Sequence, residues 1–241
     1  MPTSLARRLL LLSTTTLAGI LCAPVQAAFI TNGGFESGFS GWTRFNQAGS
    51  EGTFTLQAGT SSPISLDAVP SSGSIAAMSD GLGPGSHVLL QNFTVTAPVA
   101  EARLVFDLFI ANRASAFYAP ITLDFATPTL NQQARVDILS GVADPFSTSA
   151  ADIFQSIFRT NVGDQLISGY TRYSVDITTL VNNRLNTPMT LRFAETDNVF
   201  SFQLGIDNVD IQVVPEPSIW ILTAGGLAGV LWRRRNSVTH K

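Results

Sequence analysis

The chain has 241 residues and a formal net charge of −3, and Cys22 is its only cysteine. Between residues 28 and 214, eight arginines and no lysine stand against 16 acids (all 17 except Glu216), so eight minus 16 gives a net charge of about −8. A domain this acidic does not hold a polyanion by counterion release, which excludes nucleic acid as a partner. A lone cysteine excludes an internal disulfide and a cysteine-based metal site.

Residues 1–27 have the three parts of a secretory signal peptide. Arg7 and Arg8 supply the positive start, an apolar run follows, and Val25-Gln26-Ala27 places small side chains where signal peptidase reads the chain. An N-terminal membrane helix is the alternative, but the apolar stretch is shorter than the roughly 20 residues that a span needs. We therefore predict export with cleavage after Ala27, which removes Cys22.

Residues 28–214 alternate short runs of strand-forming residues with Gly, Ser, Asn, Pro and Thr. This spacing predicts one all-β domain, a jelly-roll-like antiparallel β-sandwich, with no linker that divides it. Helical spacing is confined to two short segments, 152–159 and 178–184. The predicted strands cover residues 52–58, 73–79, 87–95, 102–111, 121–126, 134–139, 170–177, 189–194, 200–206 and 209–214.

The last predicted strand changes its inward face partway along. Phe202, Leu204 and Ile206 are apolar at even positions, whereas Val209 and the apolar residues after it occupy odd positions. A strand with a period of two cannot change parity without an extra residue. We therefore predict a β-bulge at residues 207–208.

The sequence offers little for nucleophilic catalysis. A Ser-His-Asp arrangement in the domain would have to use His87, because His240 lies in the C-terminal tail. The chain has no Gly-x-Ser-x-Gly motif and no histidine spacing typical of a metal site. A small glycoside hydrolase with a carboxylate pair is the alternative function, although no pair can be identified. The densest polar cluster, Glu195-Thr196-Asp197-Asn198, is interpreted as a turn before the final strand.

The C-terminal tail, residues 215–241, has a motif, an apolar segment and a basic cluster in that order. Pro215, Glu216 and Pro217 form an extended segment without ladder hydrogen bonds. The uncharged segment at about 218–232 is predicted to be a transmembrane helix, although roughly 21–24 Å of helix is short for a core of about 30 Å. The following arginines predict a cytoplasmic C-terminus and a domain outside the cytoplasm. They are Arg233, Arg234 and Arg235.

This tail is similar to the PEP-CTERM sorting signal over about residues 213–235. The resemblance implies a Gram-negative bacterium that makes exopolysaccharide, and processing by an exosortase that recognises Pro215, Glu216 and Pro217. It also implies an inner-membrane-anchored precursor that is passed to the cell surface or extracellular matrix, where polysaccharide is the expected partner. Residues 236–241 extend beyond the usual end of such a tail. An ordinary C-terminal membrane anchor is the alternative.

A second resemblance lies at the two ends of the domain. The opening Asn32-Gly33-Gly34-Phe35-Glu36, the Gly41-Trp42 pair and the closing 205–209 segment are similar to galactose-binding-like jelly rolls, which include many carbohydrate-binding modules. That resemblance implies adjacent first and last strands and a structural calcium ion, with Glu36 and Asp207 at the matching positions. The alternative is that both carboxylates accept hydrogen bonds from loop amides without a metal.

Sugar binding requires exposed aromatic rings and polar groups, and the sequence does not identify a glycan site. We interpret Trp42 as a core residue rather than a sugar platform. Taken together, the patterns predict a non-enzymatic exported surface or matrix protein. The aromatic candidates are Trp42, Phe45, Tyr118, Tyr170 and Tyr173.

Overall fold

The computed structural model of the protein describes residues 28–59 and 68–215. These residues form ten strands and one short helix, α1 (Thr178–Asn182). The prediction of an all-β domain is therefore confirmed. The strands are β1 (Thr43–Asn46), β2 (Phe54–Ala58), β3 (Ile75–Ser79), β4 (Gly85–Phe93), β5 (Val99–Asn112), β6 (Gln132–Ser140), β7 (Ile153–Arg159), β8 (Ile167–Asp176), β9 (Met189–Asp197) and β10 (Phe202–Pro215).

The strands form two five-stranded antiparallel sheets. The first sheet has the order β1-β4-β9-β6-β7, and the second has the order β2-β3-β10-β5-β8. Their inner faces form one hydrophobic core, in which Phe106 of the second sheet meets Phe193 of the first edge-to-face at 5.5 Å. Alternate residues of the inner strands, such as β5 and β9, supply this core, as expected for a sandwich.

The predicted bulge in β10 is confirmed. The pairing of β10 with β5 shifts register between Asp207 and Asp210, and Asn208 has a φ of 52°, in the left-handed region. Gly33 lies against this bulge, since a Cβ at that position would be 1.8 Å from the Val209 carbonyl oxygen, and Val209 N donates to Gly33 O at 3.0 Å. Glycine is therefore required there. The opening and closing motifs of the domain meet at this contact.

The outer face of the first sheet carries a buried ion-pair cluster. Asp137 of β6 and Arg192 of β9 are register partners, and Arg192 Nη2 is 2.5 Å from Asp137 Oδ2. Arg135 Nη2 is 3.1 Å from the other carboxylate oxygen of Asp137. The connection between β6 and β7 covers the cluster, and Arg192 Nη1 donates to the carbonyls of Pro145 (2.9 Å) and Ser147 (2.7 Å). All three charged side chains are buried.

The sequence prediction and the structure differ at three segments. The segment 152–159, predicted to be helical, contains the edge strand β7. The segment 121–126, predicted to be a strand, is a loop whose Leu123 packs on the outer face of the first sheet beside Val88. Strand β1 was not predicted, because all four of its residues are exposed and show no apolar alternation.

Candidate functional site

The candidate aromatic platforms occupy different environments. Trp42 is 7% exposed, lies 6.0 Å from Phe193 and donates from its ring nitrogen to Asn32 O at 3.1 Å. Its interpretation as a core residue is confirmed. Phe45 on edge strand β1 is 42% exposed. Of the half-buried tyrosines, Tyr173 lines a groove between the two sheets.

This groove, called the edge groove below, lies between edge strands β7 and β8. Its volume is about 370 Å³. The two strands belong to different sheets, and the loop of residues 160–166 joins them at one end of the groove. Aromatic side chains form one part of its lining and polar side chains the other. The aromatic residues are Phe117, Phe158 and Tyr173, and the polar ones include Asp164, Ser168 and Thr171.

The Tyr173 ring is held in place by its neighbours. It stacks on Phe106 at 5.3 Å with an interplanar angle of 13°, and Phe158 meets it edge-on at 5.1 Å. Burial raises the pKa of Tyr173, and the negative charge of Asp164 raises it further. The phenol therefore stays neutral and retains its O–H donor at neutral pH.

The polar side of the edge groove is partly ordered by local hydrogen bonds. Asp164 Oδ2 accepts from Asn161 N at 2.7 Å, which fixes the carboxylate at the start of the loop. Gln165 Nε2 donates to Ile167 O at 2.6 Å. Both side chains are exposed. The groove thus combines a fixed aromatic ring with solvent-accessible hydrogen-bonding groups, the combination that sugar hydroxyls and C–H faces require.

A second cluster of polar groups lies between the sheets at the end of β9. The sequence interpretation of Glu195 and Asp197 as part of a turn is wrong. Both residues belong to β9, and their side chains face the same side of the sheet as the core residue Phe193. Glu195 pairs with His87 of β4, and Asp197 pairs with Gly85. Two acids and a histidine are thus placed at the edge of the hydrophobic core.

The surroundings of these two acids favour their protonated forms. Burial raises the pKa of Glu195 well above its ordinary value, with further contributions from Asp197 and Asp80. Burial and Asp80 raise the pKa of Asp197 to about 7, although a hydrogen bond from Gly85 N at 2.8 Å opposes the shift. Burial lowers the pKa of His87, so its imidazole is neutral. Its Nδ1 lies 2.9 Å from the side-chain oxygen of Asn46.

A cleft of about 290 Å³ lies beside this buried acid cluster, and Asp197, Phe200 and Ser201 contribute to its lining. Gly83 covers Asp197 so closely that a Cβ there would be 2.4 Å from Asp197 Oδ2. Glu195 is 1% exposed. A glycosidase needs both carboxyl groups in contact with its substrate, and this pair does not meet that requirement.

The two carboxylates of the predicted calcium site both contact the segment that precedes β3. Glu36 Oε1 accepts from Ser74 N (2.8 Å) and Ile75 N (3.0 Å). Asp207 Oδ2 accepts from Ser72 N at 2.8 Å. Among residues 28–59 and 68–215, no three His, Cys, Asp or Glu side chains form a group that could hold a metal ion. Both carboxylates thus serve as acceptors for loop amides, and the calcium site stays a prediction.

If Glu36 and Asp207 bind calcium, the midpoint of thermal unfolding should be higher in calcium than in EDTA. With calcium bound, chelation by EDTA would lower the midpoint of thermal unfolding of the exported protein, because an ion that binds only the native state stabilises it. Glu36→Gln would then remove the difference between calcium and EDTA. Equal midpoints of the unchanged protein in calcium and in EDTA would leave the two carboxylates as amide acceptors only.

The sorting motif begins where the last strand ends. Pro215, the final residue of β10, pairs with Val99 of β5. Glu216 and Pro217, the apolar segment 218–232 and Arg233 to Arg235 lie outside the described residues, as does the signal segment 1–27. Within residues 28–59 and 68–215, no helix is long and apolar enough to cross a membrane.

Comparison with known families identifies the tail. The PEP-CTERM protein-sorting motif matches residues 213–235, the span predicted from the sequence. No curated protein matches the chain in sequence. The chain therefore carries a PEP-CTERM sorting motif that begins at the end of the last strand of its β-sandwich.

Solved structures that align with the chain include binding modules and enzymes. A cyclase from Fischerella sp. TAU aligns at 16% identity and a TM-score of 0.46, over 80% of this chain and 100% of the cyclase. TmCBM61, solved with β-1,4-galactotriose, aligns at 13% identity and a TM-score of 0.44, over 78% and 99%. The tailspike protein 4 of bacteriophage CBA120 aligns at 13% identity and a TM-score of 0.43, over 78% of this chain, which spans only 21% of the tailspike chain.

Proposed function

We propose that this protein is an exported, non-catalytic surface or matrix protein, which an exosortase processes at its Pro215-Glu216-Pro217 motif. The observation that carries the proposal is the position of the motif: the last ladder pair of β10 is Pro215 with Val99, and the matched span covers residues 213–235. Processing after the motif would release the sandwich with all ten strands intact. Extracellular polysaccharide is the partner that the tail implies.

The buried acid cluster supports a non-catalytic role. The carboxyl groups with the strongest shifts in pKa, Glu195 and Asp197, lie between the sheets, where burial and neighbouring acids favour their protonated forms. His87, the one histidine of the domain, is also buried. Glu195 and His87, two of the three groups suited to acid-base chemistry, are thus withdrawn from a substrate.

A glycoside hydrolase is the second candidate, and one observation favours it. Asp197 lines the 290 Å³ cleft and has a pKa of about 7, a value suited to a general acid. If the protein is a hydrolase, the exported chain will release reducing ends from a host polysaccharide, and Asp197→Asn will abolish that release. The non-catalytic proposal expects no release by either protein.

Tail processing gives the direct test of the proposed function. We expect the protein recovered from its native host to begin at Ala28 and to end near Pro215, in the matrix or medium. Glu216→Ala/Pro217→Ala removes the motif without altering a residue of β10, so the variant should keep Arg233 to Arg235 and remain in the membrane fraction. Intact mass and membrane partitioning measure both outcomes.

Glu101→Ala is the matched control for this variant. Glu101 is a half-exposed acid that pairs with Val214 on the neighbouring strand, so the control changes a carboxylate close to the tail but outside the motif. Its processing should equal that of the unchanged chain. Recovery of the unchanged chain with its arginine cluster in the membrane would leave an ordinary anchored surface protein and refute processing by an exosortase.

A further inference from the structure

We propose that the edge groove binds a neutral polysaccharide, with the Tyr173 ring as the platform for one sugar unit. The inference rests on the proposed function, which places the domain among extracellular polysaccharides. It adds the site and the chemical class of the glycan. The groove volume of about 370 Å³ lies within the range of roughly 300–1,000 Å³ that is typical of ligand sites.

The platform is fixed before a ligand arrives. Phe106 stacks on the Tyr173 ring at 5.3 Å, and Phe158 holds it edge-on at 5.1 Å. Immobilising a free side chain weakens binding, and this side chain is already immobile. Tyr173 therefore offers an ordered ring and a hydroxyl donor to one sugar. Phe45, the exposed aromatic of the opposite edge strand β1, has no ring contact among the described residues.

The charge of the groove selects a neutral glycan. Asp164 is the one charged side chain among the lining residues, and neither arginine nor lysine accompanies it in the lining. An anionic polysaccharide would bring like charges together in a domain that already carries an excess of acids. Sugar hydroxyls, in contrast, can donate to the Asp164 carboxylate and exchange hydrogen bonds with Ser168 and Thr171.

A second copy of the chain is a poorer occupant of this edge. Dimerisation through the edge would add a strand to β7 or β8, and a regular ladder favours that kind of pairing. The pairing of β7 with β6 is irregular at two places, between Val136 and Asp137 and between Ile138 and Leu139. Such irregularities twist an edge strand and block its extension by another strand.

The experiment uses the full chain, exported and recovered from its native host. Exopolysaccharide from the same host is separated by anion exchange into neutral and acidic fractions, and binding to each is measured by affinity electrophoresis. We expect retardation by the neutral fraction that is unchanged when salt is raised, since no ion pair is involved. Tyr173→Leu and Asp164→Asn should each weaken that binding about tenfold.

Phe45→Leu is the matched control for Tyr173→Leu, because it replaces an exposed aromatic on the far edge of the first sheet. It should bind like the unchanged chain. Thermal unfolding checks that each variant folds. Asp164 is exposed in a loop, so Asp164→Asn is expected to fold. It therefore still tests glycan binding in the edge groove if Tyr173→Leu fails to fold.

Three results would overturn the proposal: undiminished binding by Asp164→Asn, binding of the acidic fraction alone, or no binding of either fraction. A fourth is a change in sedimentation of the groove variants without a change in glycan binding, which would assign the groove to contact between two copies. If any of these results is found and the tail is processed normally, glycan binding in the edge groove is refuted, whereas the proposed processing by an exosortase still stands.

Discussion

Asp137→Asn is expected to lower the free energy of unfolding by about 3–5 kcal/mol, because it leaves buried arginines without their counter-charge. Asp137 is the shared partner of Arg192, at 2.5 Å, and of Arg135, at 3.1 Å. The side chains of Asp137 and Arg192 are fully buried, so water cannot replace the lost interaction. Urea unfolding, monitored by tryptophan fluorescence, measures the change.

The exposed pair of Glu101 and Arg103 supplies the control. Its nitrogen and oxygen are 2.5 Å apart, as close as those of the buried pair, but the two side chains are 44% and 45% exposed. Glu101→Gln should therefore change the free energy of unfolding by less than about 1 kcal/mol. Adding Arg192→Met to Asp137→Asn should restore part of the lost stability, because only Arg135 then remains uncompensated. Equal effects of the Asp137 and Glu101 substitutions would contradict this account.

The long strands of the second sheet could be predicted from the sequence because apolar residues recur at every second position along them. Leu104, Phe106 and Leu108 repeat with a period of two, and β5 extends over Val99–Asn112. The bulge at Asp207 was predicted from the change of parity alone. These features depend on local geometry, in which each side chain alternates between the two faces of one strand.

Strand β7 could not be predicted because its irregular pairing disguises its periodicity. Phe154, Ile157 and Phe158 are spaced by three and four residues, which is the spacing of one helix face. In the structure, these residues pack against the core from a strand with two register irregularities. An extra residue at each irregularity shifts the alternation, so the pattern resembles a helix although the backbone is extended.

The sequence supplied parts of the candidate site without their arrangement. Tyr173 is among the candidate platforms named from the sequence. The edge groove, however, forms because β7 and β8 are edge strands of the two facing sheets. Strand order within a sheet cannot be read from local sequence patterns. Glu195 and Asp197 were interpreted as a turn because acids rarely face a core. Their shared parity with Leu191 and Phe193 was the signal that could have placed them inside the sandwich.

The buried acid cluster is expected to make the protein less stable as the pH rises through the neutral range. Asp197 has a folded pKa of about 7, above its ordinary 3.8, so the folded state holds a proton that the unfolded state has lost. Stability therefore falls from about pH 4 to about pH 8 and is then constant; between about pH 5.5 and pH 8 the loss from Asp197 is about 2 kcal/mol. Glu195, whose pKa is also raised, adds a loss of the same sign.

The titration of His87 has the opposite effect on stability from that of Asp197, because the folded pKa of His87 is lowered. The pH dependence therefore distinguishes the two groups. The folded pKa of His87 lies below the ordinary 6.5, so His87 lowers stability only as the pH falls below that value. Unfolding in urea at about pH 5.5 and about pH 8 should show a smaller free energy at the higher pH for the unchanged protein. Asp197→Asn, which cannot ionise, should reduce that difference, whereas Asp176→Asn, at an exposed acid, should preserve it. Equal pH dependence of the unchanged protein and Asp197→Asn would show that Asp197 is ionised in the folded state, and its carboxylate would then be available to a ligand in the adjoining cleft.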